Sequence, residues 1–344
     1  MIIGVWNYHE SLHKNNYMLS QFTENCLGED SMLGFYQFYL EAKKKGHTIE
    51  ILNEQRKIDN YDAFIFINFP NTTKKVVKDA LRSNKPKYLL NLECPIIYPA
   101  TWNRENYNFF KKIFTWKDDL IDNKFFYKIN CPSYPLEKIK VDNLFNEKRS
   151  LFCVIICSNK SSNHKYDLYR KRIEIIKWFE INKPKDLDFF GYGWNKYIFK
   201  GQKVIRALNK INFLTRILSP KYKNYKGEFI GKKHDLLKQY KFSMCIENAK
   251  YYPGYITEKI FHCFFALTVP VYLGSDNISD HIPQECFIDL RNFNSYEDLY
   301  KYLKNMEEKE YLQYQISIKN FLNSEKFRPF SIEYYVQMLS DNIL

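Results

Sequence analysis

No stretch of this chain reaches the roughly 18 consecutive apolar residues that span a bilayer. Its opening run, Met-Ile-Ile-Gly-Val-Trp, is too short and too poor in basic residues for a secretory leader. The expectation is therefore a chain with neither leader nor membrane anchor. The eight cysteines (Cys26, Cys94, Cys131, Cys153, Cys157, Cys245, Cys263 and Cys286) form no Cys-x-x-Cys pair and no Cys/His cluster at zinc spacing. Several lie in apolar runs, where a thiol behaves as a small hydrophobe. A reduced cytosolic protein without a structural metal is the simplest expectation. Internal repeats and C-terminal heptads are absent, and so is any recognisable nucleic-acid motif. One long stretch lacks acid altogether. Residues 196–226 hold nine Lys and Arg residues and no Asp or Glu.

What is present describes a folded enzyme-sized chain. The 344 residues are 45% hydrophobic and 18% aromatic, enough for a sizeable core and two domains. The formal net charge of +13 suits an anionic partner such as a nucleotide diphosphate, an anionic glycolipid, a membrane surface or nucleic acid. It equally suits a merely lysine-rich composition. Strand signals at 2–6, 48–52, 63–67 and 87–92 alternate with helical periodicity at 31–45 and 74–83. A second series starts at 151–157, continues with a helix over 166–182, and reaches a strand at 187–190. Such βα alternation predicts parallel sheets with helices on both faces. The join is expected near 140–150, giving domains 1–147 and 148–329, followed by an amphipathic helix over 330–344.

The most informative segment is 240–274. Phe242 to Ile246 is a short apolar run ending at Glu247-Asn248, and Pro253-Gly254 punctuates the loop that follows. Thr257 is placed to cap a helix whose first turn holds Glu258 and Lys259. Val269-Pro-Val-Tyr-Leu is the next strand, stopped by Gly274. In open α/β sheets ligands bind beyond the carboxyl ends of the strands. A helix N-terminus favours a phosphate, and Lys259 adds a full positive charge. A carboxylate beside such a site needs hydroxyls or a cation to bind, which points to a sugar. Taken alone, Glu258 and Lys259 would be ordinary solvated charges serving the helix dipole.

The run Phe-x-x-x-x-Glu-Asn, then Gly-Tyr-Ile-Thr-Glu-Lys-Ile, then Val-Pro-Val-Tyr-Leu-Gly resembles the donor-binding signature of glycosyltransferase family 10, the α-1,3/1,4-fucosyltransferases. The resemblance implies GT-B architecture, with two Rossmann-like doubly wound domains facing across a cleft and the last helix crossing back to the first domain. It implies GDP-fucose as donor, bound by Glu247, Asn248, Tyr255, Thr257, Glu258 and Lys259. In that carry-over Tyr255 lies against the nucleotide, Glu258, also taken as catalytic, bonds the nucleotide-sugar hydroxyls, Lys259 neutralises the diphosphate, and Asn248 shapes the pocket.

Asn91-Leu-Glu-Cys-Pro95 resembles the family's Asn-Leu-Glu-Ser-Pro segment, with a thiol at Cys94 in place of a hydroxyl. Glu93 follows a strand end and is implied as the base that takes the acceptor proton. The alternative is a loop Glu paired to a surface lysine. Phe114-Thr-Trp-Lys-Asp-Asp-Leu resembles a segment leading to a polar loop. Ser158-Asn159 resembles the family's Ser-Asn step, and Arg172, or Arg170 beside it, falls near a family Arg suited to a diphosphate. Gly191 and Gly193 in Phe-Phe-Gly-Tyr-Gly-Trp would let backbone come close to the nucleotide. Asp186-Leu-Asp188 looks like a metal motif of another fold but reads here as the start of a strand. No metal or other cofactor is expected, because cations would stabilise the departing GDP.

The expected activity is inverting transfer of L-fucose to a glycan hydroxyl in surface polysaccharide, lipopolysaccharide or glycolipid synthesis. The alternatives are transfer of another GDP-linked deoxy-sugar, or a relative that binds without turnover. In 196–226, Val204, Leu208, Ile211, Leu214 and Leu218 recur at near-helical spacing among the cations. That pattern fits either an insertion packed on the core or a basic amphipathic helix on an acidic membrane. The latter would suit a lipid-linked acceptor and a location at the inner face of the cytoplasmic membrane.

Overall fold

The computed structural model describes residues 1–20, 32–132, 141, 145, 148–199, 202–229 and 231–344. The expected domain join falls largely outside these residues, as do Cys26, Ser31 and Lys200. The chain divides into two compact units. The first holds Met1–Ile139, Tyr252–Glu258 and Ser324–Leu344; the second holds Lys140–Tyr251 and Lys259–Asn323. Each contains one parallel sheet.

In the first unit β1 (Ile2–Asn7), α1 (Leu33–Lys44), β2 (Thr48–Ile51), β3 (Ala63–Ile67), α2 (Lys75–Arg82), β4 (Lys87–Asn91), β5 (Lys112–Thr115) and β6 (Phe126–Lys128) follow in chain order. The strands lie in the order β2-β1-β3-β4-β5-β6, and every pairing is parallel. The period of two along each strand divides its side chains between two cores. Ile3, Val5, Ala63, Ile65 and Ile67 face one with α1. Phe64, Phe66 and Leu89 face the other with α2. β5 and β6 were not among the expected strands. They are four and three residues long, too short to show a period, and register with β4 creates them.

The second unit contains β7 (Leu151–Ile156), α3 (Tyr169–Asn182), β8 (Leu187–Phe190), α4 (Lys203–Ala207), α5 (Asn212–Ile217), α6 (Lys233–Leu237) and β9 (Tyr240–Ile246). It continues through α7 (Glu258–Phe265), whose first residue belongs to the first unit, then β10 (Val269–Leu273), α8 (Ile278–His281), β11 (Ile288–Asp289), α9 (Tyr296–Asn305) and α10 (Glu308–Leu322). The sheet order β11-β10-β9-β7-β8 is again all parallel. One core of Ile155, Phe189, Phe242, Met244, Val271 and Leu299 runs through it. The helix expected from 166 starts at Tyr169. Asp167 and Leu168 are held in a bridge to the loop after β9, where the Leu168 N–H donates to the Asn248 carbonyl. The last helix, α11 (Ile332–Ile343), packs on α1 in the first unit. Among the described residues no helix is long and apolar enough to cross a membrane.

Candidate functional site

In the first unit, four neighbouring strands deliver polar or aromatic side chains just past their carboxyl ends. These are Tyr8 after β1, Asn68 after β3, Glu93 after β4 and Trp116 after β5. The carboxyl ends of a doubly wound sheet are where ligands bind, because there the loops diverge from the strands. Asn68 fixes the Glu93 backbone. It adopts a left-handed φ of 55°, and its Oδ1 accepts from both the Leu92 and Glu93 N–H at 3.0 Å. The Trp116 and Trp102 indoles donate to the Leu92 and Glu93 carbonyls, at 3.0 and 2.9 Å.

The Glu93 side chain is half-buried, and the Tyr8 hydroxyl donates to its Oε1 at 2.9 Å. Burial, helped by the Glu93 carboxylate, pushes the Tyr8 phenol well above its usual range, so it remains a donor. The Tyr8 ring also packs, tilted, against Tyr98 at 4.6 Å, and both rings line a cavity of about 550 Å³ with Phe69, Asn71 and Thr72. Glu93 thus has an oriented carboxylate beside a pocket with aromatic and hydroxyl-bearing walls. Tyr8→Phe is expected to lower turnover about tenfold. Unchanged turnover would contradict this role for Tyr8.

The loop 252–258 belongs to this same unit. Tyr255 is 4% exposed. Its ring packs on Trp116 at 4.8 Å and its side chain hydrogen-bonds Cys94. The thiol that stands in place of a hydroxyl therefore still makes a polar contact. Burial raises the Cys94 pKa, and the Tyr255 bond opposes the rise. Gly254 permits this packing. Its φ is +81°, and a Cβ would lie 2.3 Å from the Trp116 carbonyl oxygen. Gly254→Ala is expected to cost about 3 kcal/mol in chemical denaturation, from strain and overlap together. An unshifted midpoint would refute that. Thr257 is buried, and Glu258 opens α7 with its Oε2 3.9 Å from the Cys131 Sγ.

In the second unit the carboxyl ends of β7, β8 and β9 carry Ser158-Asn159, Gly191 and Glu247-Asn248. Glu247 is fully buried, and its Oε2 lies 3.2 Å from the Lys259 ammonium in the first turn of α7. A buried carboxylate so placed orients the cation. Arg172, 4% exposed, donates through Nη2 to the Ile246 carbonyl at 2.7 Å and to Asn248 Oδ1 at 2.9 Å. It braces the loop after β9, whereas Arg170 points to solvent. The Cys157 thiol is pushed up to about 11 by burial, against the opposing charges of Arg172 and Lys259. Both cations therefore act near the end of β7.

Gly191, expected with Gly193 to let backbone come close to a nucleotide, also comes close to the chain itself: a Cβ would meet the Cys157 carbonyl oxygen at 2.0 Å. Asn159 Nδ2 ties this turn to the Gly193 carbonyl at 3.0 Å. Asp186 and Asp188 are each bound within the unit, to Tyr300 and Lys304 and to Tyr240 and Lys226. This fits their reading as the start of a strand.

The structure thus joins Tyr255 to the Glu93 segment through Cys94 and Trp116, and it groups Asn248 with Arg172 and Glu247 with Lys259. Sequence reasoning missed Tyr8 and Asn68. The signal that could have found them is their position one residue beyond an apolar strand, the same signal that marked Glu93.

Comparison with known proteins defines the class first. A crystal structure of an α1,3-fucosyltransferase with GDP-fucose aligns over 99% of this chain and 89% of its own, with TM-score 0.55 and 14% identity. The fold is GT-B, an α/β fold with two parallel sheets. The model of glycosyltransferase family 10 (fucosyltransferase), C-terminal part, matches residues 145–326, more than half of the chain. The chain belongs to that family. The α-(1,3)-fucosyltransferase FucT of Helicobacter pylori is 30% identical over 118 residues, 34% of this chain and 24% of the relative. The 4-galactosyl-N-acetylglucosaminide 3-α-L-fucosyltransferase 9 of Mus musculus is 38% identical over 94 residues, 26% of each. The matched part spans about a quarter of the length of these curated relatives.

Proposed function

We propose that the protein transfers L-fucose from GDP-β-L-fucose to a hydroxyl of a glycan, with inversion to an α-linkage. The observation that carries the reading is the Lys259–Glu247 pair at the start of α7, inside the family-matched segment. Support also comes from the relatives, which are named fucosyltransferases, and from a fold neighbour whose crystal structure holds GDP-fucose.

In this reading Glu93 accepts the acceptor proton as that oxygen attacks the anomeric carbon. The bond to the β-phosphate oxygen breaks on the opposite face, and GDP leaves with the electron pair. Tyr8 keeps the Glu93 carboxylate oriented, and the cavity beside it receives the acceptor's sugar rings. Lys259 balances the growing charge on the diphosphate, with Arg172 holding Asn248 in place. Ser158, Asn159, Gly191 and Thr257 shape the backbone around the donor, and Glu258 bonds its hydroxyls. Because a side-chain cation does this work, EDTA is expected to leave turnover within about twofold, a change below 0.5 kcal/mol. A loss restored by added Mg²⁺ or Mn²⁺ would show otherwise.

The acceptor is a glycan of surface polysaccharide, lipopolysaccharide or glycolipid, made on the cytoplasmic side. Acceptor-dependent GDP release across a panel of GDP-sugars tests the donor. GDP-fucose should be used fastest. Preference for another GDP-deoxy-sugar would overturn the fucose assignment, and GDP binding without release would overturn transfer itself.

A further inference from the structure

We infer that the basic excursion 196–226 docks the protein on an anionic lipid surface. The near-helical spacing expected there resolves into two short helices, α4 and α5, separated at Leu208–Lys210. Polar bonds hold the segment to its own unit. The Tyr197 N–H donates to the Thr215 carbonyl at 2.6 Å, and Asn209 bonds both the N–H and the carbonyl of Phe199. Glu180 accepts from the Lys223 and Asn224 N–H groups. Thr215 and Asn224 are buried. Tyr222 and Tyr225 pack on the core, but most aliphatic side chains of α4 and α5 do not. Val204 is 79% exposed, Phe213 76% and Ile217 63%, and Ile205, Ile211 and Leu218 are also exposed. Phe213 and Ile217 lie one turn apart on the same side of α5. This is an inverted arrangement, with polar groups inside and aliphatics outside.

The charge around these residues selects the occupant. Arg206, Lys210, Arg216, Lys221 and Lys223 are exposed and, among the described residues, form no ion pair. Of the formal net +13, this one segment carries nine positive charges and no negative one. A second copy of the chain would bring the same unbalanced charge to the contact. A nucleic acid would satisfy the cations but leave the aliphatic side chains in water. A membrane with acidic headgroups meets both demands, since cations sit at the headgroups while aliphatics enter the acyl boundary. Tyr192 and Tyr197, exposed at the edge of the excursion, are the amphipathic rings that favour that boundary. The inference stands independently of the transfer reading, and it suits an acceptor carried on a lipid.

Co-sedimentation of the full chain with vesicles tests it, using phosphatidylcholine alone and phosphatidylcholine mixed with phosphatidylserine. Binding should require phosphatidylserine and weaken as salt is raised. R206Q/R216Q is expected to weaken it about 25-fold. F213S/I217S should weaken it about tenfold or more, with an unchanged thermal midpoint because these side chains are already in water. Absence of salt-sensitive binding, equal binding to neutral vesicles, or indifference to both double variants would overturn the inference. A dimer in sedimentation equilibrium that F213S/I217S dissociates, or tighter binding to duplex DNA than to acidic vesicles, would assign the face to those occupants instead.

Discussion

Glu93→Gln should fold, bind GDP as the parent does, and lose transfer by about 10²–10⁴-fold, the usual worth of a positioned general base. The substitution preserves shape. The amide can still accept from Tyr8, and the backbone bonds from Asn68, Trp102 and Trp116 do not involve the side chain. Stability should therefore hold while kcat falls, because a neutral amide cannot take the acceptor proton. GDP affinity, read by calorimetry, separates this from a folding defect. Turnover within a few-fold of the parent would remove Glu93 as base and leave the cavity beside Tyr8 without its reactive group.

The second large effect is expected at Lys259. Its ammonium lies 3.2 Å from a carboxylate that is wholly buried, so Lys259→Ala removes one positive charge paired with Glu247. Breaking a buried pair from one side costs about 3 kcal/mol or more. Loss of the cation should also weaken GDP binding about tenfold to 100-fold, as a charge-assisted bond to phosphate is lost. The two losses are separable. Adding Glu247→Gln to Lys259→Ala should restore part of the stability, because the buried negative charge is removed together with the cation, but it should restore none of the GDP affinity. If the double variant recovered GDP binding as well, Lys259 would serve the fold alone.

Both sites stood out in the sequence because they are local. Glu93 follows an apolar strand and precedes a proline, and Glu247, Glu258 and Lys259 lie within one strand–loop–helix unit. The apolar runs 63–67 and 242–246 marked strands for the same reason, since such a run is visible within a few residues. What escaped is what the fold brings together from a distance. Tyr8 meets Glu93 across 85 residues of sequence, and Trp116 meets Tyr255 only because β5 lies beside β4 and the loop 252–258 packs in the same unit. Gly191 was legible as a residue that allows close approach. Its partner, the Cys157 carbonyl, was not, because it lies just past the end of the neighbouring strand β7. The spacing in 196–226 likewise read as one helix, whereas Asn209 turns back onto Phe199 and splits it.

The central claim, transfer of fucose with inversion, is tested most directly by the product. The protein would be incubated with GDP-β-L-fucose and an N-acetylglucosamine-containing glycan, and the new anomeric linkage read by NMR alongside GDP release. One α-linked fucose per GDP released is the predicted result. A β-linkage, or GDP released without any glycosylated product, would contradict it.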